Sequence, residues 1–178
     1  MRAVQRLLFV ALAGLAGSAL VACGEEKAST KRVATLKGDG FTVAMPGKPK
    51  AETITAQTAR GPLPITAYIT EGGQEGFSMS VLRIPRGVRG DLDGAVRGAA
   101  SSVGGTLKDS KTLTFQGYPA RDARITGATD SNGNKGTVFA RVILANGRIF
   151  QLQFVTGGAD VTSPPPQYTA FVSSLKLG

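Results

Sequence analysis

The stretch from Thr137 to Thr156 constrains the fold more than any other, because it sets the register of two strands by itself. Asn146 and Gly147 are the pair favoured by a two-residue type I′ hairpin turn, in which both central residues need positive φ. Around that turn Ala145 faces Arg148, and counting outward puts Ile143 opposite Phe150, Arg141 opposite Leu152 and Phe139 opposite Phe154. The alternate face carries Val138, Val142, Leu144, Ile149 and Val155, with Gln151 and Gln153 among them. Both faces are largely apolar, so both need cover, which a one-sided meander would not. Arg141 breaks the pattern. Its charge must extend to solvent or meet a carboxylate, and a place at the sheet edge is expected.

The cover is readable nearby. From Asp91 to Val103 the apolar residues Leu92, Ala95, Val96, Ala99 and Val103 recur at helical spacing, with Asp91 placed to cap the first turn and Gly104–Gly105 to end the last. The internal glycines Gly94 and Gly98 suggest close packing of this helix on a sheet. A second helix is expected to begin at Ser163 as N-cap and Pro164 as first residue, with Tyr168, Phe171, Val172 and Leu175 on one stripe. Strands are expected over Phe41–Met45, Glu52–Thr58, Ile65–Thr70, Phe77–Ile84, Thr112–Phe115 and Ala120–Ile125, from their alternation and bounding turns. Pro62 and Pro64 mark a loop or an edge. The fold class implied is α+β: an antiparallel sheet sandwiched between two helices.

The N-terminus specifies an address. Arg2 and Arg6 precede an apolar run from Leu7 to Ala19 that is shorter than the roughly 20 residues a membrane-spanning helix needs, and the small residue Ala22 stands before Cys23. This is the pattern of a secretory signal peptide over residues 1–22. Leu20, Val21, Ala22 and Cys23 resemble the lipobox of bacterial lipoproteins, which implies cleavage before Cys23 and acylation of its thiol with palmitate-type chains. The alternative is simple secretion with a free thiol. A lone cysteine cannot form an intramolecular disulfide, and in an exported chain the leftover thiol needs a reason that acylation supplies. The polar run over residues 23–37 then reads as the lipidated cysteine and a tether, with a single domain over residues 38–178.

Charge and missing residue types narrow the function. Once Arg2 and Arg6 leave with the signal, 19 basic residues face 12 acidic ones, a balance of +7. Outside the cytoplasm the natural counterparts are lipid headgroups and anionic polymers. The few aromatic residues are not interleaved with the basic ones, so nucleic acid is not an expected partner. The chain has no histidine, which removes the Ser-His-Asp and Cys-His schemes and the usual zinc sites. Ser173 and Lys176 have the Ser-x-x-Lys spacing of some acyl-transfer enzymes but lack the partner motifs. Asp130, Asn132 and Asn134 imitate the start of a calcium loop, yet Lys135 and Arg141 fill its glycine and glutamate positions. No catalytic residue, metal site or cofactor is expected. Arg83, Arg86 and Arg89 are the densest positive charge of the mature domain and a candidate anion site, and Arg121, Asp122 and Arg124 are expected to form ion pairs at a strand edge.

The order of elements, with FTVAMPGKP at the front, YPARD and NGRIFQLQF in the second half and YTAFVSSLKL at the end, resembles the PsbP-like fold. That fold occurs in small bacterial lipoproteins, including mycobacterial ones, and in an extrinsic subunit of photosystem II. The resemblance covers Phe41 to Leu177 and implies an α/β/α sandwich with binding or assembly roles, without carrying over any functional residue. The expected protein is a lipid-anchored component of the bacterial cell envelope with a non-catalytic binding domain, whose partner is an envelope protein, an anionic polymer or a lipid. A carrier holding a small lipid or glycan between sheet and helix is the alternative.

Overall fold

The computed structural model describes residues 33–58, 61–72, 75–130, 133–157 and 160–178. In chain order the elements are β1 (Val33–Gly38), β2 (Phe41–Pro46), β3 (Lys50–Thr58), β4 (Gly61–Gly72), β5 (Glu75–Arg83), α1 (Leu92–Ser102), β6 (Thr106–Phe115), β7 (Tyr118–Thr129), β8 (Lys135–Ala145), β9 (Arg148–Gly157), α2 (Pro166–Ser173) and β10 (Lys176–Leu177). Seven strands form one antiparallel sheet in the order β3-β4-β5-β9-β8-β7-β6, and β1, β2 and β10 form a second. Among the described residues, no helix is long and apolar enough to cross a membrane.

The β8–β9 hairpin has the register that its turn dictates. Asn146 and Gly147 sit at φ 50° and 70°, and Ala145↔Arg148, Ile143↔Phe150, Arg141↔Leu152 and Phe139↔Phe154 are paired. Alternate residues of β8 enter different cores. Phe139 and Ile143 join Phe77, Phe150, Phe154, Tyr168 and Phe171, together with Phe41, Val43 and Met45 from β2. Val138, Ala140 and Val142 pack with Val96, Ala99 and Ala100 of α1 and with Val103, its C-cap. The second face is therefore covered by α2 and the small sheet together. An eight-residue helix is about 12 Å long, too short to roof seven strands, and the molecule is sheet-dominated, where two covering helices were expected.

Helix α1 ends and begins as its sequence requires. Asp91 Oδ1 accepts a 2.8 Å hydrogen bond from the Gly94 amide. At the other end Gly104 has φ +63°, its N–H reaches the Ser101 carbonyl and that of Gly105 reaches the Ala100 carbonyl, which is the Schellman arrangement. The expected packing role of the glycines is not found. A Cβ on Gly94 would meet Asp91, whereas one on Gly98 would meet nothing within 4 Å. Gly98→Ala is accordingly expected to stabilise the domain by about 0.5–1 kcal/mol, read as a higher urea midpoint at unchanged m.

Helix α2 starts later than the sequence suggested: its N-cap is Pro165, with no side-chain capping bond, instead of Ser163. Residues before proline are pushed out of the α region, so in the run Pro164-Pro165-Pro166 only the last can open the helix. Tyr168, Phe171, Val172 and Leu175 are buried as the stripe required. Of the loop or edge expected at Pro62 and Pro64, the structure has the edge: both lie inside β4, which pairs there with β3 alone and meets β5 only from Ile65 onward. Their missing N–H groups belong to a local edge. Residues 33–37, assigned to the tether from sequence, lie in β1, paired with β2.

The turns at one end of the large sheet hold the last residues. Gln116, at φ 51°, forms with Gly117 the β6–β7 turn, so Tyr118 and Pro119 belong to β7. Gln116 donates through Nε2 to the Leu175 carbonyl at 2.5 Å and accepts from the Leu177 amide at 3.1 Å. Asn146 donates to the Gly178 carbonyl at 2.9 Å and accepts from the Tyr118 hydroxyl at 3.1 Å. Two hairpin turns thereby brace β10 against β2.

Candidate functional site

On the side of the large sheet that faces α2, strands β6, β7 and β8 present charge beyond the edge of the helix. The pairs Asp109↔Arg124 and Lys111↔Asp122 join β6 to β7, and Asp122↔Arg141 and Arg124↔Phe139 join β7 to β8. Acidic and basic residues thus alternate both along and across the strands. A bulge between Leu107 and Asp109 makes this possible: Leu107 packs beneath α1, and the extra residue brings Asp109 round to the opposite face.

Two arginines organise the face. Arg141 donates from Nε and Nη2 to the two oxygens of Asp122, each at 2.6 Å, and its guanidinium carbon lies 5.3 Å from the centroid of the Phe115 ring. Burial disfavours its charge, but the hydrogen bonds and charge of Asp122 outweigh this and hold its pKa above the ordinary value. Arg124 donates to Asp109 at 2.7 Å and to Asp160, on the segment before α2, at 2.8 Å. Its hydrogen bond to Asp109 is the main reason that its pKa is also raised.

Between these groups and α2 lies an open cleft of about 180 Å³, whose lining includes Asp109, Lys111, Asp122, Arg124, Phe139 and Tyr168. It is smaller than the roughly 300 Å³ at which drug-sized ligand pockets begin. Tyr168 is 5% exposed, and its hydroxyl is buried with no hydrogen-bond partner among the described residues. Burial, assisted by the charge of Asp122, pushes the phenol well above its usual pKa, and nearby Arg141 offsets only part of that. The group stays a neutral donor at physiological pH.

The residues singled out from sequence fall in several places. Cys23 and Asn132 lie outside the described residues. Arg83 pairs with Asp39, which also binds Arg148 at 2.9 Å, while Arg86 and Arg89 are exposed on the connection before α1. Asp130 accepts from the backbone and side-chain nitrogens of Asn134, each at 2.8 Å, as a polar turn does. Lys176 stands in β10, not on the final helix with Ser173. Arg121, Asp122 and Arg124 do form ion pairs, but β7 is an interior strand, because β6 lies outside it. Arg141 is interior too, and its solution is the carboxylate, not the edge. Asp109, Lys111 and Asp160 were not picked out from sequence. The bulge before Asp109 and the irregular connection that carries Asp160 hide the approach of these two carboxylates to Arg124.

No family model matches the chain, and no curated protein matches it in sequence. Among solved structures it is similar to cyanobacterial PsbP (CyanoP) from Synechocystis sp. PCC 6803, at 12% identity and a TM-score of 0.55, covering 89% of this chain and 99% of that one. The Ran-binding protein Mog1p of Saccharomyces cerevisiae aligns at 14% identity over 82% of this chain and 94% of its own, with a TM-score of 0.43. The first likeness, together with the antiparallel sheets and two helices, gives the described domain a PsbP-like fold.

Proposed function

We propose that the chain is a lipid-anchored envelope lipoprotein, similar to mycobacterial lipoproteins of this fold, cleaved before Cys23 and acylated there, whose domain is a non-catalytic binding or assembly module. The observation that carries the anchor is the sequence Leu20-Val21-Ala22-Cys23 behind a positive start and a short apolar run, in a chain with no other cysteine. The three-layer arrangement belongs to the same proposal: the large sheet lies between α1 on one side and α2 with the small sheet on the other. It is supported by the alternation of β8 between the two cores.

Binding at an exposed surface is favoured over carriage of a lipid inside the domain. The space between α2 and the sheet is occupied by side chains. Phe77 packs on Phe154 and Phe171 at centroid distances of 4.9 and 5.4 Å, and Leu152, Phe154 and Leu175 are fully buried. The partner is an envelope protein or an anionic polymer, met by charged surface that includes Arg86 and Arg89. Growth of a bacterial host expressing the chain with an alkynyl palmitate tests the anchor. The mature chain should carry the label at Cys23, and an unlabelled chain would refute the lipoprotein reading. Photocrosslinking from residues 86 and 89 in the intact envelope tests the domain's role, with adducts to protein or polymer expected; a co-purifying lipid seen by native mass spectrometry would favour the carrier instead.

A further inference from the structure

The charges of the cleft are balanced in a way that leaves one place exchangeable. Asp109, Lys111, Asp122 and Arg124 line the cleft; Asp160 pairs with Arg124 and Arg141 with Asp122 beside it, so three cations meet three carboxylates. Asp122 is committed to Arg141 through both oxygens, and Asp109 is held opposite Arg124 by the β6–β7 register. Asp160 differs. It comes from the connection into α2 and not from a paired strand, and its contact with Arg124 is through Nη1. Exchanging it for another carboxylate would leave the count of charges unchanged, whereas a doubly charged anion would leave the site negative.

The neighbouring groups are arranged for such a guest. Tyr168 closes the α2 side, nine-tenths buried, with a hydroxyl that no described residue satisfies. Leaving a buried hydroxyl unpaired costs about 1–3 kcal/mol, and such an orphan in a native structure calls for a partner. Lys111, exposed on β6 one register step from Arg124, supplies a further cation. Phe139, paired with Arg124, and Pro164 give the cleft an apolar wall.

We propose that the cleft binds a small organic monocarboxylate, whose place on Arg124 is held in the free chain by Asp160, with Lys111 and the Tyr168 hydroxyl as its other polar contacts. A short apolar body lies against Phe139 and Pro164, and the size of the cleft excludes a lipid chain. The proposal deepens the reading of the domain as a binding module and does not depend on the lipid anchor. A failed palmitate label would leave it standing, and a failed titration here would leave the anchor standing.

The test is an NMR titration of the full chain in detergent micelles with acetate, butyrate and, as an ionic-strength control, sodium chloride, following the Arg124 Nε–H and the amides of residues 109–111, 122–124, 160–163, 167 and 168. Saturable shifts confined to these signals are expected, with butyrate tighter than acetate. Removing the internal competitor by Asp160→Asn should tighten butyrate by about threefold, in line with the strength of an exposed ion pair. Lys111→Gln and Tyr168→Phe should each weaken it at least threefold. Tyr168→Phe keeps the ring in the core, so its thermal midpoint should be unchanged or higher without ligand. Shifts no different from the chloride control, or an Asp160→Asn variant that binds butyrate no better than the parent, would overturn the proposal.

Discussion

Replacing Asp122 by alanine is expected to lower the stability of the domain by about 2–3 kcal/mol. Arg141 sits in an interior strand with its side chain 17% exposed, beside the Phe115 ring and in the same apolar row as Phe139 and Ile143. It cannot shed its charge by deprotonating. With Asp122 gone, two hydrogen bonds vanish, and Lys111 and Arg141 become flanking cations with no anion between them. Breaking a fully buried pair costs about 3–5 kcal/mol, and the lower figure reflects the 35% exposure of the Asp122 side chain, through which water replaces part of what is lost. Urea unfolding monitored by circular dichroism measures it, with m unchanged. The double variant Asp122→Ala/Arg141→Met should recover most of the loss, because no charge is then left stranded. If Asp122→Ala cost under about 0.5 kcal/mol, the pair would be acting as an ordinary surface bridge.

The same pair shows where reading a sequence stops. Asn146-Gly147 announces its own register, because few residue pairs accept positive φ at two successive positions, and every β8–β9 partner followed from it. The Asp91 cap and the Gly104–Gly105 stop of α1 are equally local. Whether Arg141 stood at an edge depended on something else, the pairing of β7 with β8, whose register shifts between Thr126 and Ala128. The join of β5 to β9 links residues about 75 positions apart, and nothing within Phe77–Arg83 specifies that neighbour. The small sheet was hidden for a related reason. β1 has a weak alternation of exposed and half-buried residues, and β10 is only two residues long. Both are strands because β2 offers them a ladder, not because their own side chains demand one. The cleft combines all these problems: a bulge on β6, a register on β7 and a connection arriving from β9.

Cys23→Ser is expected to abolish acylation and to move the chain from the membrane fraction to the soluble one, while the domain unfolds at the parent's temperature. The two halves of that expectation have separate physical grounds. Each buried methylene of an acyl chain contributes about 0.8 kcal/mol of membrane affinity, and two chains anchor stably where one is marginal. A serine hydroxyl in place of the thiol removes all of the chains at once. The positive surface left behind, through Arg86, Arg89 and their neighbours, supplies about 1 kcal/mol per residue near an anionic bilayer and is screened by salt. Any residual binding of the variant should therefore wash off at high ionic strength, which the parent survives. The domain, for its part, takes its described contacts from Val33 onward, ten residues beyond the anchor, and its cores lie between Leu36 and Leu177. Fractionation with a salt wash, palmitate labelling and a thermal melt of the same variant separate these effects. A variant that remained labelled and membrane-bound after the wash would place the anchor elsewhere in the chain, and one that lost its melt would make the N-terminal segment part of the fold.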